Sequence, residues 1–189
     1  MPNTDSAEDL LRRLTADEET ARSLEIHAGF DALRPDPLEN LSIPCGLPLV
    51  PIAGDGAGGT FYLVGDESAE RRPVLYTDSE GAGSLVAEDL AEALSIFIAL
   101  GFWHDVGYGI DLDAVEADLR ENEPDIDEAR AELFATVGVP VISREQARDL
   151  LLAAAARTAP DYVALADFAD AVPYSLMFGP RPWVVDPAS

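Results

Sequence analysis

Residues 49–66 read Leu-Val-Pro-Ile-Ala-Gly-Asp-Gly-Ala-Gly-Gly-Thr-Phe-Tyr-Leu-Val-Gly-Asp, and they constrain the fold more than any other stretch. Gly54, Gly56 and Gly59 spell G-x-G-x-x-G directly after a strand-like run, the pattern of a dinucleotide-binding turn. That chemistry needs a helix to begin at the glycines, so that its free N–H groups face a pyrophosphate. Instead Thr60-Phe61-Tyr62-Leu63-Val64 follow, a β-branched and aromatic run with strand chemistry. Gly65-Asp66 then marks a turn, and Pro73-Val74-Leu75-Tyr76-Thr77 reads as another strand. Only Glu67–Arg72 separates these two runs, too little for the crossover helix that parallel pairing requires. Asp78 lies near the spacing of a ribose-binding acid, but the missing helix outweighs it. The stretch therefore reads as an antiparallel hairpin. Asp55, Gly56, Gly58 and Gly59 build its turn and take positive φ where needed.

A chain of 189 residues fits one domain and buries roughly 70% of its unfolded surface, enough to fold without a disulfide or metal. Cys45 is the only cysteine. With no signal peptide evident, it points to a reducing cytoplasm. The longest apolar run, Leu94–Phe102, is far too short for a membrane span. The charge is extreme: 36 acids stand against 12 bases, all of them arginine, for a net charge of −24. Such a chain repels nucleic acid and anionic membranes; its acidity either serves solubility alone or, if there is a partner, favours a basic one. The absence of lysine and abundance of alanine match a GC-rich bacterial genome.

Periodicity organises the rest. Pro2–Asp5 is expected to fray, and Ser6 caps a first helix with Glu8 and Asp9 in its first turn. Thr15 and Glu18 spell a capping box, where the helix restarts or runs on to Gly29. Residues 30–48 carry four prolines and form a loop. Strands are expected at 49–53, 60–64, 73–77 and 84–87, and a helix over Glu88–Leu100 with an apolar stripe of Leu90, Leu94, Phe97 and Ile98. The remainder is mainly helical. A stripe of Leu112, Val115 and Leu119 ends at Pro124. A helix capped by Asp125 and Glu128 closes at Gly138, and another is opened by the capping box Ser143–Gln146. A further helix is expected at 161–171, then a proline-rich tail packed by Trp183. Clustered strands with helices on either side argue for an α+β fold. The expected organisation is an α+β core over 1–104, a small mostly antiparallel sheet with flanking helices, and a mainly helical extension over 105–189 packed on it.

No catalytic, cofactor or metal site stands out. There is no G-x-S-x-G, His27 and His104 lie in no recognisable motif, and Cys45 sits in a loop between Pro44 and Gly46. Three Cys and His residues at scattered positions are poor zinc ligands. Asp111 and Asp113 are followed by no glycine or glutamate in the calcium-loop register. The densest charge lies at 105–132, where Asp105, Asp111, Asp113, Glu116, Asp118, Glu121, Glu123, Asp125, Asp127, Glu128 and Glu132 face only Arg120 and Arg130. Read blandly, these are the solvated faces of two helices. Read functionally, the first six are a docking surface that draws in a basic protein.

The order of motifs resembles the SUKH superfamily, the Smi/Knr-like family of yeast cell-wall regulators and bacterial toxin-immunity proteins. The resemblance rests on Ile52-Ala53-Gly54-Asp55-Gly56-Ala57-Gly58-Gly59, then Phe61-Tyr62-Leu63, Val74-Leu75-Tyr76, Ser79-Glu80-Gly81 and the helix Val86–Leu100. It covers about residues 47–102. The chain departs from the family at Gly59-Thr60 and Val64-Gly65-Asp66, and residues 105–189 carry no part of the likeness. The resemblance implies a SUKH-like α+β fold without catalysis or cofactor. It also implies an immunity protein that binds and neutralises a cognate toxin, a basic toxin domain being the expected partner. The alternatives are a regulatory or scaffold protein with a cellular partner, and a small-molecule or nucleotide enzyme using the Gly54–Gly59 loop.

Overall fold

The computed structural model describes residues 6–69, 71–108 and 111–178. Two helices open the chain, α1 (Ala7–Ala16) and α2 (Glu18–Ala28). Short β1 (Leu41–Ser42) precedes a run of four strands: β2 (Leu49–Gly54), β3 (Thr60–Val64), β4 (Val74–Thr77) and β5 (Ala82–Ala87). Helix α3 (Leu90–Leu100) and a 3₁₀ segment (Trp103–Tyr108) lead to α4 (Leu112–Asn122), α5 (Ile126–Val137) and α6 (Arg144–Ala156). Two short strands end the described chain, β6 (Leu165–Ala166) and β7 (Ser175–Leu176). The fold is α+β. Strands β2 to β5 form an antiparallel meander, β7 adds to β5 in parallel, and β1 pairs with β6 as a separate two-stranded sheet.

The four central strands lie where the hydrophobic pattern puts them, and their alternation sorts side chains to two buried faces. Phe61, Leu63, Val74, Tyr76 and Val86 point into the main core, while Tyr62, Val64, Leu75 and Leu85 point into a second cluster with Ile43 and Ala164. An antiparallel sheet often leaves one face to solvent. Here the 41–49 loop and the 162–174 segment cover the second face. The second half of the chain also enters the main core through Leu133, Phe134, Val137, Ala147 and Leu151. Helix α3 is buried nearly all round, including Ser95, Ile96 and Ala99, so its apolar surface is wider than the expected stripe. Phe30, Phe61, Phe97 and Trp103 pack their rings around it with centroids 4.7 to 6.2 Å apart.

The local signals held unevenly. Ser6 caps α1, Asp89 caps α3, and the Ser143–Gln146 box is complete on α6. Gly29, Gly101 and Gly138 close their helices at positive φ. The helix does restart near residue 17, but Asp17 is the cap, accepting from the backbone N–H and hydroxyl of Thr20. The Thr15 hydroxyl instead donates back to the Leu11 carbonyl. Asp125 makes no capping bond. The helix expected at 161–171 is absent. Its backbone pairs elsewhere, β6 with β1 and Asp167 N–H with the Asn40 carbonyl, so tertiary pairing overrides a weak local pattern. Pro2–Asp5 and Trp183 lie outside the described residues.

Candidate protein-docking surface

The glycine turn is fastened by a buried carboxylate. Asp55 is only 5% exposed. Its Oδ1 accepts from the N–H groups of Ala57 (2.8 Å) and Gly59 (2.7 Å), closing the turn on itself. Its Oδ2 accepts from the Tyr76 hydroxyl at 2.5 Å, with His104 Nε2 3.5 Å away. Burial opposes ionisation. Hydrogen bonds from His104, Tyr76 and the two amides outweigh it and hold the carboxyl well below the usual carboxylate range. The same contact raises Tyr76, through burial first and then through the Asp55 hydrogen bond and charge. His104 stacks on Trp103 with centroids 3.5 Å apart, and Trp103 Nε1 donates to the Ala28 carbonyl at 3.2 Å. One carboxylate thus ties the β2–β3 turn to β4 and to the segment after α3.

This arrangement also answers the phosphate question. The loop amides that would face an anion, those of residues 57 and 59, already donate to Asp55. Strand β3 begins at Thr60, where a cradle would need a helix. Within the turn only Gly58 takes positive φ, at +90°. Gly59 is required for a different reason: a Cβ there would lie 2.6 Å from Tyr76 Cε2 and Cζ, and closer still to the hydroxyl. The Asp55–Tyr76–His104 cluster escaped sequence reasoning because its members are far apart in the chain. The one visible signal was an aspartate set between two glycines.

The acidic stretch forms helices α4 and α5, held together by arginine. Glu116 is 1% exposed and faces Arg130, which is 8% exposed. Both Nη groups of Arg130 donate to the Glu116 carboxylate, and Arg130 Nη2 also reaches the Leu100 carbonyl at the C-terminus of α3. Arg120 lies 3.2 Å from Glu116 and also donates to Asp127 at 3.0 Å and 3.2 Å. Arg144 of α6 donates to Asp113 at 3.2 Å and stands 4.0 Å from Glu116. A carboxylate this deep is stable only when paired on several sides. Glu116 therefore leaves the set of docking acids: it is an internal tie between α4, α5 and α6.

The other five candidates face solvent. Asp111 is the cap of α4, accepting from the N–H groups of Asp113 and Ala114. Asp113 is exposed and shares Arg144. Asp105, Asp118 and Glu121 are exposed and show no ion pair among the described residues. Asp125, Glu128 and Glu132 extend the exposed acids onto α5, while Glu123 brings Oε2 to 3.4 Å from His27 Nδ1 without hydrogen-bond geometry. The chain has three acids for every base, so pairing every arginine still leaves an excess equal to the net charge of −24. The result is a rigid helical pair presenting uncompensated negative charge.

Cys45 is exposed and free. Among the described residues no group of three or more His, Cys, Asp or Glu is placed to hold a metal ion, and no helix is long and apolar enough to cross a membrane. No protein-family model matches the chain, and neither does any curated protein or solved structure.

Proposed function

We propose that this chain is a non-catalytic protein-binding module that neutralises a cognate bacterial toxin by laying its acidic α4–α5 face over a basic surface of the toxin. One observation carries the reading: Asp118 and Glu121 stand exposed and unpaired on α4, with Asp105 exposed and unpaired on the 3₁₀ segment before it, and the buried Glu116–Arg130 tie locks α4 to α5. Charge held on a rigid scaffold loses little entropy on binding and steers an oppositely charged partner into contact. A nuclease or deaminase with a basic nucleic-acid cleft is such a partner. The resemblance to SUKH immunity proteins at residues 47–102 supports the same reading. The site argument is separate from the fold, since a scaffold does not fix its ligand.

The test is capture of the toxin encoded beside this protein, using the full chain as bait. The expected result is a stable complex in which toxin activity is quenched. Failure to bind that toxin, together with unchanged sensitivity of cells lacking the protein, would overturn the reading.

A further inference from the structure

A second surface has different chemistry. Between α1 and the outer edge of β2 runs an open groove of about 800 Å³, within the range of real ligand sites. Its floor is apolar, made by Leu11, Ala32, Ile52 and Leu63. Strand β2 is the edge of the five-stranded sheet. Gly65 N–H donates to the Pro48 carbonyl, so residues 48 and 50 bond inward to β3 and residues 49 and 51 face outward. Residue 51 is proline, which has no N–H to offer, so the edge is poorly suited to extending the sheet. Side chains rather than strand pairing must hold an occupant. Val50 on the groove wall is 40% exposed. With the apolar floor it gives the groove an apolar wall open to an occupant.

Charge selects the occupant. Among the described residues that line the groove Arg72 is the only base, and both its Nη groups are engaged, one by Glu8 and the other by the Gly65 carbonyl at 2.8 Å. Glu8 and Arg72 cancel. Asp66 and Glu67 remain on the rim, exposed. The Ser68 hydroxyl and N–H donate to Asp66 and hold its carboxyl below the usual range. A second copy of this chain would bring a net charge of −24 against an acidic rim, which disfavours it.

We propose that this groove docks an extended polypeptide segment with an apolar centre and arginine or lysine at its flank. The six residues of β2 span roughly 20 Å at about 3.3 Å each, so a segment of about six residues matches its length. The site is distinct from the α4–α5 face and does not depend on the toxin reading.

The test probes an array of six-residue peptides with the full chain. The peptides combine apolar or serine centres with Arg, Lys, Glu or Ser flanks, and the best are then measured by fluorescence anisotropy. Apolar-centred, basic-flanked peptides are expected to bind. Val50→Arg should weaken them about tenfold by removing apolar contact and placing a competing cation in the groove. Glu67→Lys should weaken them about threefold to fivefold, as an exposed rim charge does. Glu145→Lys, the same charge change on α6, should leave them unchanged. Three outcomes overturn the proposal: no enrichment of that class; equal binding of basic peptides with serine centres, which reports bulk charge only; or equal loss in the Glu145→Lys control. Sedimentation of the free protein closes the remaining case, since self-association abolished by Val50→Arg would assign the groove to a second copy.

Discussion

Replacing Asp55 by alanine should destabilise the fold more than any surface change. The substitution removes a carboxylate that accepts from Gly59 N–H at 2.7 Å and from the Tyr76 hydroxyl at 2.5 Å, both buried, and from the more exposed Ala57 N–H. Water can replace the partner of Ala57. The other two donors are left without one, at about 1.5–3 kcal/mol each for a bond to a charged group, so the expected loss is roughly 3–6 kcal/mol. For a chain of this size that lowers the melting temperature by about 6–24 °C. Asp55→Asn keeps one acceptor oxygen and should cost less, about 1–2 kcal/mol. Urea titrations of wild type and both variants measure these differences directly. The pH dependence carries a sign. The folded carboxyl titrates below its unfolded value, so its contribution is complete above the unfolded pKa of about 3.9 and fades as pH falls below it. The gap between wild type and Asp55→Asn should therefore narrow in acid. A loss below about 1 kcal/mol for Asp55→Ala, or a gap that widens in acid, would refute the carboxylate as the fastener of the turn.

Gly59→Ala should destabilise by about 1–3 kcal/mol, because the new methyl overlaps the Tyr76 ring, and Tyr76→Phe in the same chain should recover part of the loss by removing the hydroxyl. Glu116→Gln alone should cost about 3–5 kcal/mol by leaving buried Arg130 only the exposed Asp127 carboxylate, 3.8 Å away, whereas Glu116→Leu with Arg130→Met should come close to wild type in the same denaturation assay. Ser143→Ala should cost about 1 kcal/mol through loss of the complete capping box on α6, read from the melting temperature.

Much of the fold was legible because its signals are local. The β-branched and aromatic run Thr60–Val64 marked a strand, and Gly65 with Asp66 marked its end. Three helix stops were glycines that only a left-handed residue fills easily. What escaped depended on tertiary contact. Residues 161–171 carry a helix-like pattern, yet Leu165 and Ala166 pair across 120 residues of chain with Ser42 and Leu41. Thr15 and Glu18 had the right spacing for a cap, and Asp17 between them supplied a better acceptor. The same limit applies to the site. Charge density pointed to α4, but spacing could not distinguish Glu116, turned inward to Arg130, from Glu121, turned to water. The Val115 and Leu119 stripe held the clue, since Glu116 lies beside it on the helix.

The central claim is that exposed acids on α4, α5 and the 3₁₀ segment before them draw in a basic toxin. It is tested most directly by the association rate of the neighbouring toxin domain, measured by stopped flow over a range of salt concentrations. The comparison is wild type against the triple variant Asp105→Asn, Asp118→Asn and Glu121→Gln. The account predicts a rate that falls steeply with salt and drops at least about tenfold in the variant, with the melting temperature unchanged. A rate indifferent to both salt and the three substitutions would contradict it.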